Sequence, residues 1–169
     1  MNNPFATHLP VLLACLRRTE GPILELGSGW FSTILINAFS VGRIARTIET
    51  DRNWFESIVP IAACQPLTSH SHQMMLVGDY EAAPLFDHPW SVVMIDNEPP
   101  RRRGHDLRRL KGRARLFVAH DSEHPDYGYE PVFSSFRYRY DYKRLFPWTT
   151  VVSDDDPLDW LEEALRPLW

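Results

Sequence analysis

Ile23-Leu24-Glu25-Leu26-Gly27-Ser28-Gly29 is the stretch on which the reading of this chain turns. Ile23 to Leu26 suit a short buried strand, and they run directly into a glycine turn. Beyond it Phe31, Ile34, Leu35, Ala38 and Phe39 recur at i, i+3, i+4, i+7 and i+8, the spacing of an amphipathic helix. Gly27 and Gly29 carry no Cβ, so the backbone between strand and helix can turn tightly and come close to a ligand. A helix that opens after such a turn aims its free amides at that ligand.

Working outward, strand-like and helix-like segments alternate, which predicts βαβ units and a mainly parallel sheet. Upstream, a helix is expected from about Phe5 to Arg18, with Leu9, Leu12, Leu13 and Leu16 on one face, ended by Gly21-Pro22. Downstream, strands are expected at Arg46–Thr50, Gln73–Val77, Trp90–Ile95 and Arg115–Ala119. A helix from about Asn53 packs through Phe55, Ile58 and Val59 with Pro60 as a possible kink, and a short basic helix covers Gly104 to Lys111. Tyr138, Tyr140 and Tyr142 alternate with Arg139 and Asp141, the period of a strand with two unlike faces. Thr149–Val152 reads as a further, antiparallel strand, and Asp156-Pro157 as the start of a last helix striped by Leu158, Leu161, Leu165 and Leu168. The expected architecture is one α/β domain over residues 1–169, Rossmann-like and doubly wound, with a mainly parallel seven-stranded sheet and helices on both faces.

In open α/β sheets, ligands collect at the carboxyl ends of the strands. Glu49 lies 20 residues beyond Gly29 at the end of the second strand, where a carboxylate accepts from ribose hydroxyls. Asp79 follows the third strand, placed to accept from an exocyclic amine such as that of adenine. Asp96 ends the fourth strand, and His120-Asp121-Ser122 end the fifth, so these side chains are expected to converge.

The chain resembles the class I S-adenosylmethionine (SAM)-dependent methyltransferases from the helix before Gly21 to the strand near Val152. The resemblance rests on Ile23 to Gly29, on Thr47-Ile48-Glu49, on Gly78-Asp79-Tyr80 and on Val93-Met94-Ile95-Asp96. It implies SAM as cofactor, with Gly27, Ser28 and Gly29 as its turn, Glu25 helping to hold the methionyl amino group, Glu49 on the ribose, Asp79 and Tyr80 at the adenine, and Asp96 beside the methyl group. Nicotinamide-binding enzymes share the turn, but their fingerprint wants a third glycine where Ser32 stands. An acid at Glu25 would also repel a pyrophosphate, whereas SAM carries a cationic ammonium.

Three readings of the strand-end residues stay open. His120 or Asp96 can act as general base on an acceptor hydroxyl, a near-neutral imidazole suiting that task. Asp96 and Asp121 can instead hold Mg²⁺, as in methyltransferases resembling the catechol enzymes, although His120 and Ser122 depart from that pattern. Or the two acids only cap backbone amides and touch SAM. The loop Asn97-Glu98-Pro99-Pro100-Arg101 is comparable with the Pro-Pro-aromatic motif of amino-directed DNA methyltransferases, but Glu98 and Arg101 break it. That argues against nucleic acid and for a small-molecule or glycan-like acceptor, methylated on oxygen or nitrogen. The alternative is a non-catalytic SAM-binding module serving assembly or regulation.

A net charge of −4 argues against a general polyanion binder, yet residues 101–115 hold eight basic residues against Asp106 alone. The acidic C-terminal stretch, Asp154 to Glu163, is the expected counterpart, within or between subunits. No apolar run nears the length of a membrane span, and the N-terminus lacks the layout of a secretory signal. Cys15 and Cys64 are expected as buried thiols, which points to a reducing cytoplasm, and the terminal Leu168-Trp169 points to a homodimer.

Overall fold

A computed structural model describes residues 3–63 and 71–166. Its elements are α1 (Leu9–Arg18), β1 (Ile23–Leu26), α2 (Ser32–Phe39), β2 (Ala45–Glu49), α3 (Arg52–Ala63), β3 (His72–Leu76), β4 (Trp90–Ile95), α4 (Arg103–Leu110), β5 (Ala114–His120), α5 (Glu130–Phe133), β6 (Tyr138–Tyr142), β7 (Thr149–Ser153) and α6 (Trp160–Ala164). They build the expected seven-stranded sheet, in the order β3-β2-β1-β4-β5-β7-β6. β1 to β5 pair in parallel, and β7 runs antiparallel to both β5 and β6. The strand order reverses between β1 and β4, so their carboxyl ends open the crevice in which such sheets bind ligands.

The apolar composition of the central strands demands two helical layers. Successive residues of a strand point to opposite faces, and here both faces are covered. Leu24, Leu26, Ile48, Val93, Ile95 and Phe117 pack with Leu107 and Leu110 of α4 and Phe133 of α5. Ile23, Ala45, Val92, Met94, Leu116 and Val118 pack with Val11, Leu12 and Leu16 of α1, Ile36 of α2 and Leu161 of α6.

Several local expectations need correction. The first helix starts at Leu9 rather than Phe5, because Pro4–Ala6 form a separate 3-10 turn capped by Asn3, whose Oδ1 accepts from the Phe5 N–H. Its buried face is Val11, Leu12, Cys15 and Leu16, so Leu9 and Leu13 are only half-buried. In α2 the buried face is Ser32, Thr33, Ile36 and Asn37, while Ala38 is exposed. The reason is polar: Thr33 Oγ1 donates to Glu25 Oε2 (2.7 Å), and Asn37 Oδ1 lies 3.0 Å from His72 Nδ1. Hydrogen bonds to β1 and β3 outrank the apolar stripe. Asp156 does not cap the last helix, which begins at Trp160; its carboxylate is instead buried against Arg115 (2.7 Å).

Much of the basic run is engaged within the chain. Arg102 meets Asp79, Glu81 and Asp106, Arg109 meets Asp106 and Glu81, and Lys111 faces Asp154. Cys15 is a buried free thiol. Cys64, Leu168 and Trp169 lie outside the described residues. Among the described residues no helix is long and apolar enough to cross a membrane.

Gly104 is where α4 touches the 125–128 turn: a Cβ there would overlap the Gly128 carbonyl. Both groups are backbone and cannot swing aside. Gly104→Ala is therefore expected to destabilise by about 1–3 kcal/mol in urea unfolding, the usual cost of overpacking, despite the better helix propensity of Ala. Gly21→Ala, which meets only the Ser91 side chain, serves as the milder control.

Candidate active site

Gly27 has φ +83°, a left-handed conformation that favours glycine, and a Cβ there would lie 2.5 Å from the Asp96 carbonyl oxygen. The turn after β1 can thus lie flat against the end of β4. The Asp96 N–H donates to Leu26 O across the two, and the Gly27 N–H ties the turn to Ile48 O of β2 (both 2.9 Å). Ser28 and Gly29 then reach a cavity of about 440 Å³, within the range of small-molecule sites.

On one wall stand Ser28, Gly29, Ser32 and Glu49. Glu49 Oε2 accepts from the Ser28 N–H (2.9 Å) and hydroxyl (3.1 Å), and Oε1 accepts from the N–H groups of Thr50 and Asp51. Gly29 N–H donates to Thr33 Oγ1. Glu25 stands behind this wall, fully buried and outside the lining. Its Oε2 accepts from Thr33 and from Thr47 (2.6 Å), whereas its Oε1 has no hydrogen-bond partner. Burial pushes this carboxyl up to about 7, against the hydroxyl hydrogen bonds that favour ionisation.

The facing wall holds Asp96, Arg103, His120 and Asp121. Arg103 is buried and lies 2.9 Å from both Asp96 Oδ1 and Asp121 Oδ2. It also donates to the Asn97 carbonyl (2.8 Å) and lies over the Tyr127 ring. Asp121 takes φ +51°, a left-handed conformation that Asp tolerates better than most residues. His120 Nδ1 lies 3.3 Å from Asp96 Oδ2, and its Nε2 lies 2.9 Å from Thr7 Oγ1. Burial pulls the imidazolium down, but the Asp96 hydrogen bond and the charges of Asp96 and Asp121 outweigh it, so the His120 pKa ends above its ordinary value. Burial opposes ionisation of Asp96 too, and His120 with Arg103 overcome that, holding it below the usual carboxylate range. His8 packs edge-on to His120, and burial, then the neighbouring imidazole, lowers it to about 4.

Sequence reasoning thus brought together Ser28, Gly29, Glu49, Asp96, His120 and Asp121, which all line one cavity. Asp79 and Tyr80 lie outside that lining. Asp79 is exposed beside Arg102, with its Oδ1 bound to Arg102 and the Glu81 N–H, and Tyr80 is a core residue. Arg103 and His8 were missed. Nothing in the run Arg101-Arg102-Arg103 distinguishes its third member, and His8 lies in a segment read only as the first helix. The residues do not fit a Mg²⁺ ion shared by Asp96 and Asp121, because the Arg103 guanidinium bridges those two carboxylates. The lining carries five carboxylates, Glu49, Asp51, Asp96, Glu98 and Asp121, against the one guanidinium. Such a cavity attracts a cation and disfavours a pyrophosphate.

Glu25 supplies a pH-dependent test. A carboxyl raised in the fold above its unfolded value contributes stability that is present below the unfolded pKa and lost as pH rises through the folded one. With no SAM added, the stability of Glu25→Gln relative to the unsubstituted protein should therefore shift in favour of Gln by up to about 3 kcal/mol between about pH 5 and about pH 8. Urea unfolding at the two pH values measures it.

No protein-family model matches this sequence, and no curated protein matches it. Solved structures do. A methyltransferase from Geobacter sulfurreducens matches with TM-score 0.67 at 16% identity, covering 87% of this chain and 78% of that one. Cofactor-bound Rv0187 from MTB matches with TM-score 0.66 at 14% identity, over 92% and 83% of the chains. The O-methyltransferase TomG from Streptomyces achromogenes, involved in tomaymycin synthesis and solved in complex with SAM, matches with TM-score 0.63 at 20% identity, over 86% and 78%. With its strand order, glycine turn and antiparallel β7, this chain has the fold of the class I SAM-dependent methyltransferases.

Proposed function

We propose that the protein transfers a methyl group from SAM to an oxygen, or a nitrogen, of a small-molecule or glycan-like acceptor. The observation that carries this reading is the single cavity in which a glycine-turn wall faces an Asp–imidazole pair across the β1/β4 switch point. SAM suits the first wall on chemical grounds. The cavity's excess of carboxylates matches a cofactor with a sulfonium and an ammonium, and Glu25, buried behind the glycine-turn wall, adds a further acid on that side. Glu49, held by three backbone amides, is the acceptor for the ribose, with Ser28 giving way to the sugar hydroxyl. Asp79 is kept for the adenine amino group, since both of its hydrogen-bond and ion-pair contacts fall on Oδ1. Tyr80 supports that turn from the core.

When bound, SAM supplies an electrophilic methyl group for in-line displacement. The chain's own part is to orient the acceptor and remove its proton. His120 is the base: its Nε2, exchanging the Thr7 hydroxyl for that of the acceptor, takes the proton, while Asp96 on Nδ1, with Asp121, stabilises the imidazolium that forms. Arg103 holds both carboxylates in place without entering the proton transfer. Phe5, Trp30 and Trp54 give the cavity apolar flanks that suit a ring-bearing acceptor.

Calorimetry with SAM and with its demethylated product should show saturable binding; no binding of either overturns the proposal. With an acceptor found by screening hydroxylated and amino compounds and oligosaccharides, His120→Ala should lower turnover by about 10²–10⁴-fold while SAM affinity changes little. Turnover should rise with pH through a limb lying above the ordinary imidazole range, and that limb should vanish in the variant. SAM binding without turnover on any acceptor would favour a non-catalytic SAM-binding module.

A further inference from the structure

His8 is a buried imidazole in the lining of the cavity, and neither of its ring nitrogens has a hydrogen-bond partner. A buried polar group of that kind costs free energy unless something binds it. One donor atom each from His8, Asp96 and His120 lie within 4.8 Å of one another. We infer that His8, Asp96 and His120 form a binding site for a divalent first-row transition ion such as Zn²⁺, at the corner of the cavity where the acceptor would be activated.

The donor set decides the class of ion. Two imidazoles and one carboxylate suit zinc and its first-row neighbours, whereas Mg²⁺ and Ca²⁺ prefer oxygen ligands throughout. The outer contacts already orient two of the three donors. Thr7 Oγ1 engages His120 Nε2 at 2.9 Å, which turns Nδ1 toward Asp96. Arg103 takes Asp96 Oδ1 at 2.9 Å, which leaves Oδ2 facing that ring. Such second contacts fix the tautomer and direction of metal-binding side chains. His8 makes no hydrogen bond through its ring, so rotation about its side-chain bonds can close the set to the ~2.0–2.2 Å of zinc–ligand bonds. The burial that keeps His8 neutral also keeps its lone pair available.

This site is distinct from a Mg²⁺ position between Asp96 and Asp121, which Arg103 fills. Three protein ligands leave room for a further one from the cavity. An acceptor hydroxyl bound there would lose its proton to water, and its oxygen would keep the electron pair that attacks the methyl group. The inference rests on the proposed methyl transfer only for that last role: with the ion bound, His120 is a ligand and the ion takes over the activation that His120 performs alone. Binding of the ion itself is independent of SAM.

The test uses the full chain, stripped with EDTA and dialysed. Titration with Zn²⁺ should show one site of submicromolar Kd, Mg²⁺ at the same concentrations should not bind it, and Co²⁺ should give the visible absorption of a four- or five-coordinate ion. His8→Ala should weaken Zn²⁺ at least 100-fold and abolish the Co²⁺ signal, with far-UV circular dichroism checking the fold. Thr7→Val, which leaves all three ligands, should weaken Zn²⁺ about 10-fold, and decides the matter if His8→Ala does not fold. No Zn²⁺ site, or one indifferent to both substitutions, overturns the inference. SAM titrated in EDTA tests the proposed function separately, so either can fail without the other.

Discussion

The structure depends on the close approach of two backbones, the turn at Gly27 and the end of β4 at Asp96. A Cβ at Gly27 would sit 2.5 Å from the Asp96 carbonyl oxygen and 2.7 Å from the Asn97 Cα, and neither atom can move without opening the sheet. Because that approach is possible, the β1 turn and the β4 end share a floor, and Ser28 and Gly29 face Asp96 across one cavity. A side chain at this position would force the two walls apart.

Electrostatics organise what the glycine makes room for. Asp96 and Asp121, at the ends of adjacent strands, would repel each other if ionised so close together. The Arg103 guanidinium between them removes that conflict, and its planar fork reaches two carboxylates and a backbone carbonyl at once. The Asp96 hydrogen bond and the charges of Asp96 and Asp121 favour the His120 imidazolium over what burial alone would allow. A neutral residue at position 103 would leave the two carboxylates side by side with no cation between them.

The opposite wall is built on a buried polar layer rather than an apolar one. Glu25, Thr33, Thr47, His72 and Asn37 form a hydrogen-bonded chain between α2 and the strands β1, β2 and β3. Through it α2 sits with Ser32 toward the cavity and its polar face inward. One atom of this layer is left over, Glu25 Oε1. The glycine-turn wall is therefore backed by satisfied hydrogen bonds, with Glu25 Oε1 as the unpaired acceptor of that layer.

Local sequence determined the fold class and singled out residues that the fold gathers in one candidate cavity. The strands came from short apolar runs such as Trp90–Ile95, the parallel order from their alternation with helices, and Ser28, Glu49, Asp96, His120 and Asp121 from standing where strands end. Such features depend only on near neighbours in the chain, so a sequence displays them. The face that α2 buries, the release of Asp156 from a helix cap to Arg115, and the choice of Arg103 and His8 from their neighbours were decided by tertiary structure. Each turns on a partner far away in the chain, whether a buried hydroxyl, a guanidinium or a second carboxylate. The free energy of pairing charges and hydrogen bonds out of water is set by distance in space, which residue order alone does not contain.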